Sequence, residues 1–208
     1  MTRVALWVVL LSSSAFAQIS FVGSATANAT SITVPSGVQS GDLYVLAYTN
    51  DNGQLGAIGW PAGFRAVHAA AVDSPDGQGW GVAIGFATGA ETTLSVRATA
   101  FPVMLTLAVY RGVHPFEPLE DEGEVHTSVN FGTLSPWALS SPQVETSSLS
   151  NWVVFIGGVD LKLGIGVAGF DGGSSPVSYA APVGFTTREA NTLIYNSLVL
   201  ADSVLSTA

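Results

Sequence analysis

Cysteine is absent from the chain, which excludes disulfides, thiolate catalysis and cysteine-ligated zinc together and leaves the redox compartment unconstrained. Charge is scarce as well: Asp, Glu, Lys and Arg make up 10% of residues, where soluble domains carry about a quarter. Basic residues are the scarcest. Arg3, Arg65, Arg97, Arg111, Lys162 and Arg188 stand scattered against fifteen acidic residues, for a net charge of −9. A phosphate-binding surface needs clustered Lys and Arg, so nucleic acid is not an expected partner. Capped amphipathic helices are missing too; the nearest candidate, Ala66–Val72, is demoted by β-branched neighbours and a following Asp-Ser-Pro-Asp-Gly turn. What the chain does have is apolar residues, 48%, and turn formers, with 23 Gly and 10 Pro. One domain of 208 residues cannot hide half of them, so packing against other subunits is the expected reason for so little surface charge.

The amino terminus supports two readings. Arg3, the apolar run Val4–Leu11, the serines 12–14 and Ala15-Phe16-Ala17 have the order of a secretory signal cleaved before Gln18. The run is too short to span a bilayer, which takes ~20 residues as a helix. Retained, the same residues (Val4, Leu6, Trp7, Val8, Val9, Leu10 and Leu11) form a strand with apolar groups on both faces. Such a strand is an assembly arm, able to complete a sheet in a neighbouring subunit. The first reading implies a secreted or cell-surface protein and the second a particle component; both stay open.

From residue 19 onward the apolar period is two. Strands are expected at 19–22, 31–34, 43–49, 65–72, 81–87, 92–98 and 103–110, and then at 125–131, 144–145, 152–159, 164–168, 177–180, 185–189 and 193–201. Turn clusters separate them at Pro35–Gly41, Asn50–Gly56, Asp73–Gly79 and Gly89-Ala90. Pro61-Ala62-Gly63-Phe64 returns as Pro182-Val183-Gly184-Phe185, each time after a long apolar strand and a Gly-rich loop. The expected fold is therefore all-β: an antiparallel two-sheet sandwich, jelly-roll-like, with two related Greek-key halves at about 19–114 and 124–208. Residues 1–18 are the apolar segment and 19–208 a single domain. Pro115–Gly123, proline-bearing and acidic, reads as an exposed connection between the halves.

Val34-Pro35-Ser36-Gly37-Val38-Gln39-Ser40-Gly41-Asp42-Leu43 reads physically as a strand, a turn held by Pro35, Gly37 and Gly41, and a second strand. With Pro61-Ala62-Gly63-Phe64 and Tyr110-Arg111-Gly112-Val113 it resembles β-sandwich proteins of tailed-phage virions. In these a Pro…Gly-Asp-Leu hairpin, a Pro-x-Gly-Trp/Phe corner and a Tyr-Arg-Gly-Val strand end recur in that order. The resemblance covers Ile19 to Val113. It implies a fold and a role in a virion, as capsid decoration or a tail or fibre protein, and it implies no chemistry.

The remaining constellations are weak. Glu120-Asp121-Glu122-Gly123-Glu124 would put three carboxylates on one strand face, as glucanases do, but the laminarinase-like Glu-x-Asp-x-Glu pattern has Glu122 in its middle place, and the aromatic flanks are missing. A solvated acidic loop is the plainer account. Glu122, Glu124 and His126 alternate without a fourth ligand, so no metal site is expected, and His68 and His114 stand apart. Asn50–Gly53 and Asp73–Gly77 lack the downstream Glu of a calcium loop and read as turns. No Gly-x-Ser-x-Gly elbow occurs. Trp152 belongs to the core and Trp60 to the packed corner, which leaves Trp80 and Trp137, in Gly- and Pro-rich surroundings, as contacts for a host-surface glycan. The leading expectation is a non-enzymatic virion protein without cofactor, acting through copies of itself and other virion proteins. The rival is a secreted bacterial surface or carbohydrate-binding protein.

Overall fold

The computed structural model describes residues 2–11, 18–51, 59–71, 78–97, 103–129, 152–160, 185–192 and 196–204. Their strands are β1 Thr2–Leu11, β2 Ser20–Ala27, β3 Ser31–Thr33, β4 Leu43–Asp51, β5 Arg65–Ala71, β6 Gln78–Phe86, β7 Thr93–Ser95, β8 Val103–Arg111, β9 Leu119–Val129, β10 Trp152–Asp160, β11 Thr186–Thr192 and β12 Asn196–Val204. Every pairing is antiparallel. The strands make one sheet of order β2-β8-β4-β6-β5, a second of order β11-β12-β10-β1-β9, and a small β3-β7 pair. The all-β, two-sheet sandwich expected from the period of two is what forms. The expected strands at 144–145, 164–168 and 177–180 lie outside the described residues.

Alternation decides which side chains meet. Leu43, Val45 and Ala47 of β4, Val82 and Ile84 of β6, and Ala108 and Tyr110 of β8 face the second sheet, where Val9, Leu11, Trp152, Val154, Ile156 and Leu200 complete one core. The alternate residues Tyr44, Leu46, Tyr48, Leu105, Leu107 and Val109 face outward, yet are buried too. Ile32 and Leu94 of the small pair and Trp60 and Phe64 of the loop before β5 cover them. The central strands β4 and β8 are thus apolar on both faces because there are three layers. Val8 and Val9, neighbours pointing to opposite faces of β1, are likewise both buried.

One expectation fails in this part of the chain. The acidic stretch before residue 124 is not a connection: β9 begins at Leu119, and Glu120 and Asp121 are half-buried. The reason is β1, which offers this stretch a backbone partner, Leu11 opposite Leu119, Leu10 opposite Asp121, Val9 opposite Glu122 and Trp7 opposite Glu124. Ladder hydrogen bonds outweigh the weak strand preference of acidic residues.

The two five-stranded sheets repeat one plan. Read from the edge, they run β5-β6-β4-β8-β2 and β11-β12-β10-β1-β9. Leu43 pairs with Phe86 on one side and Tyr110 on the other, as Trp152 pairs with Val204 and Leu11. Tyr110 then faces Phe21, and Leu11 faces Leu119. Ile84 faces Arg65, and Asp202 faces Thr186. Even the irregularities coincide: the β5 and β11 ladders slip at Val67 and Arg188, and the β2 and β9 ladders at Val22 and Glu120. Phe64 immediately precedes β5, as Phe185 precedes β11; Pro182–Gly184 lie outside the described residues.

Candidate functional site

Two of the three motifs that carry the resemblance, the loop before β4 and the end of β8, meet in one clamp at an end of the first sheet. Gly37 and Gly41 have φ of 86° and 89°, the left-handed region that a side chain disfavours, and they fold the loop before β4 back on itself. Asp42 ends that loop, 2% exposed. Its Oδ2 accepts the Gln39 N–H at 2.8 Å, closing the turn. Arg111, the last residue of β8, donates through Nε to Asp42 Oδ1 and through Nη2 to Oδ2, both at 2.8 Å, and Nη2 reaches the Gly37 carbonyl at 2.9 Å. This is a bidentate guanidinium–carboxylate pair, the strongest ordinary arrangement of the two groups. The Asp42 main chain is used as well, its N–H donating to the Gln39 carbonyl and its carbonyl accepting from Ala87. The Gly-Asp-Leu hairpin and the Arg-Gly strand end are therefore two halves of one structural lock.

The Pro-x-Gly-Phe corner has an equally plain role. Gly63, at φ 82°, turns the chain so that the Phe64 N–H reaches the Pro61 carbonyl. The Phe64 ring then stacks on Tyr44, with centroids 5.9 Å apart and planes 8° from parallel. It lies directly over Gly85, where a Cβ would meet the ring at 2.7 Å. Burial, followed by the charges of Glu91 and Asp42, pushes the Tyr44 phenol up to about 12. Burial alone takes Tyr48, edge-on to Trp60 at 5.3 Å, to about 12.

A second clamp joins the sheets, and nothing in the sequence analysis pointed to it. Asp202 of β12 is 1% exposed. Arg188 of β11 donates through Nε to both its oxygens at 2.9 Å, and Tyr110 of β8, in the other sheet, donates its hydroxyl to Oδ2 at 2.9 Å. The Arg188 guanidinium lies 4.1 Å from the Phe21 ring centroid and 6.0 Å from that of Trp152. Tyr110 stands edge-on to both rings, at 5.8 and 5.6 Å. Burial first, then the charge of Asp202, pushes the Tyr110 phenol well above its ordinary value, so it remains a donor. Ser24 Oγ adds a long contact, 3.4 Å, to the Arg188 carbonyl. Two signals were available: Asp202 closes the apolar strand Leu198-Val199-Leu200-Ala201, and a charge there needs a partner. Arg188 was the basic residue nearest in sequence.

Asp42 and Asp202 each have both oxygens engaged by an arginine, a pairing that positions strands. Among the described residues no group of three or more His, Asp or Glu side chains is placed to hold a metal. Trp80, expected at a contact surface, is fully buried in the inter-sheet core instead, because its strand alternates inward at 80, 82 and 84. Trp137 lies outside the described residues. The expected arm, Val4, Leu6, Trp7, Val8, Val9, Leu10 and Leu11, is β1, seated between β9 and β10 of its own chain. No family model, curated protein or solved structure matches this chain.

Proposed function

We propose that the protein is a non-enzymatic structural component of a phage-like virion, a capsid-decoration or tail or fibre protein that works through contacts with its own copies and other virion proteins. One observation carries the reading. Two of the three virion-type motifs, through Gly37, Gly41, Asp42 and Arg111, share a single clamp, and this contact is what supports the reading. Their chemistry is spent on holding strands, which suits a building block. The finer architecture belongs to this reading: two related halves, in the first of which the last strand, β8, returns to lie beside β4 and β2, while in the second the same place is taken by β1. A jelly roll fits less well, because successive strands would then alternate between sheets.

Burial of Val8, Val9 and Leu11 favours an amino terminus that is kept. The secreted alternative requires cleavage before Gln18 and removal of β1, and burial of Trp80 takes away half of its glycan platform. Intact-mass measurement of the chain from particles purified out of the producing cells tests the choice. The expected result is a particle-borne chain beginning at Met1 or Thr2. A chain beginning at Gln18 and recovered from the medium or the cell surface overturns the virion reading.

A further inference from the structure

We infer that β1 is an exchangeable strand, and that the slot between β9 and β10 takes the β1 of a second copy of this chain. The slot is defined by the repeated plan of the sheets. In the first sheet the place between β2 and β4 is filled by β8, the strand that follows the rest of its half in sequence. In the second sheet the same place, between β9 and β10, is filled by β1, which precedes the whole first half. The register is the same in both: Leu11 takes the Tyr110 position, opposite Trp152 as Tyr110 is opposite Leu43.

Three consequences follow from that placement. First, β9 and β10 pair with β1 and not with each other, so withdrawing β1 opens two facing strand edges along 119–129 and 152–160. Such a gap binds an extended segment through main-chain hydrogen bonds, with side-chain alternation setting its register. Second, the segment that fits is the sequence of β1 itself, whose residues 4–11 are all apolar and whose Val8, Val9 and Leu11 are buried there. Third, β1 is joined covalently to the rest of the chain through residues 12–18, Ile19 being anchored in the core, so it can leave without breaking any other strand pairing. Extended, that tie reaches about 3.5 Å per residue, enough to seat β1 in an adjoining molecule. Exchange of an identical element keeps every pairing and adds a partner, which makes it a low-cost route to a dimer or chain.

The inference rests on the proposed role as a subunit that contacts its own copies, and the test separates the two. The chain has no cysteine, so introduced thiols report alone. Arg3 faces Asp160 and Val4 faces Val159 on adjacent rungs, one of which is the close, non-hydrogen-bonded kind that suits a disulfide. The Arg3→Cys and Asp160→Cys chains are co-expressed and oxidised, as are the Val4→Cys and Val159→Cys chains; each is also oxidised alone, and the double variants show that the rungs can close. The expected result is a mixed disulfide at twice the chain mass, at least tenfold above the single-variant controls. If the double variants close within one chain and the mixtures give no such product, exchange is overturned. Light scattering of the unsubstituted protein then decides the rest: an oligomer leaves the subunit reading standing, and a monomer removes it too.

Discussion

Asp202 is the side chain on which most depends. Its carboxylate is shared by Arg188 and Tyr110, so Asp202→Ala leaves a guanidinium facing the core without its counter-charge, at a cost of about 3–5 kcal/mol. The first sheet already holds the apolar answer, because the rungs of Arg188 and Asp202 correspond to those of Val67 and Ile84. Arg188→Val with Asp202→Ile, and Tyr110→Phe to retire the orphaned hydroxyl, is expected to return to within about 1–2 kcal/mol of the original stability by urea denaturation. A triple variant as unstable as Asp202→Ala would mean that the clamp cannot be replaced by packing. Glu91 is a gentler case. Burial opposes its charge, but the N–H groups of Thr88 and Gly89 hold it at about 2, below its ordinary 4.5. A carboxyl depressed in the folded state contributes fully above its ordinary value and loses that contribution as the pH falls through the folded one. The Tm advantage of the wild type over Glu91→Gln is therefore expected near neutrality and should vanish between pH 4.5 and 2. Glu91 did not stand out in the sequence, where a loop Glu looks like a solvated charge; Asp202 could be suspected only from the apolar strand it closes.

Strands were the legible part. Alternation placed β4, β8 and β10 almost to the residue, because apolar side chains on both faces of a short run leave few other fates. The β9 start was not legible, since its partner is a strand more than a hundred residues earlier and acidic residues have no strand preference of their own. Trp80 was misread for a related reason: flanking glycines suggest exposure, while the parity of its strand sends it inward. At the same scale, Gly85 lets β6 pass beneath Phe64. Gly85→Ala is expected to push that ring off Tyr44 and cost about 1–3 kcal/mol, read as a lower urea midpoint. The clamp that joins β8 to the loop before β4 is partly open to water, with the Arg111 side chain 40% exposed. Arg111→Lys keeps the charge but loses the parallel pair of bonds. Its Tm is expected to fall below that of the wild type at low salt, and the gap to narrow as salt screens the pair.

Over the whole molecule, one sheet comes from residues 20–111 and the other from β1 with residues 119–204. A fragment of residues 18–118 would carry its sheet with the inner face of Val45, Val82, Ala108 and Tyr110 uncovered. It is expected to bind a hydrophobic dye strongly, where the full chain, with that face covered by its second sheet, binds far less. Order of synthesis sets β1 apart once more. It leaves the ribosome before every other described strand, yet both of its ladder partners come more than a hundred residues later, at 119–129 and 152–160. At ~5–20 residues per second this largely apolar strand waits roughly 6–30 s for its partners. Throughout that interval it is a ligand for any chaperone or targeting factor that recognises nascent apolar segments. The fate of the strand is thus a race between capture and closure, decided by the speed of translation rather than by the depth of the folded minimum.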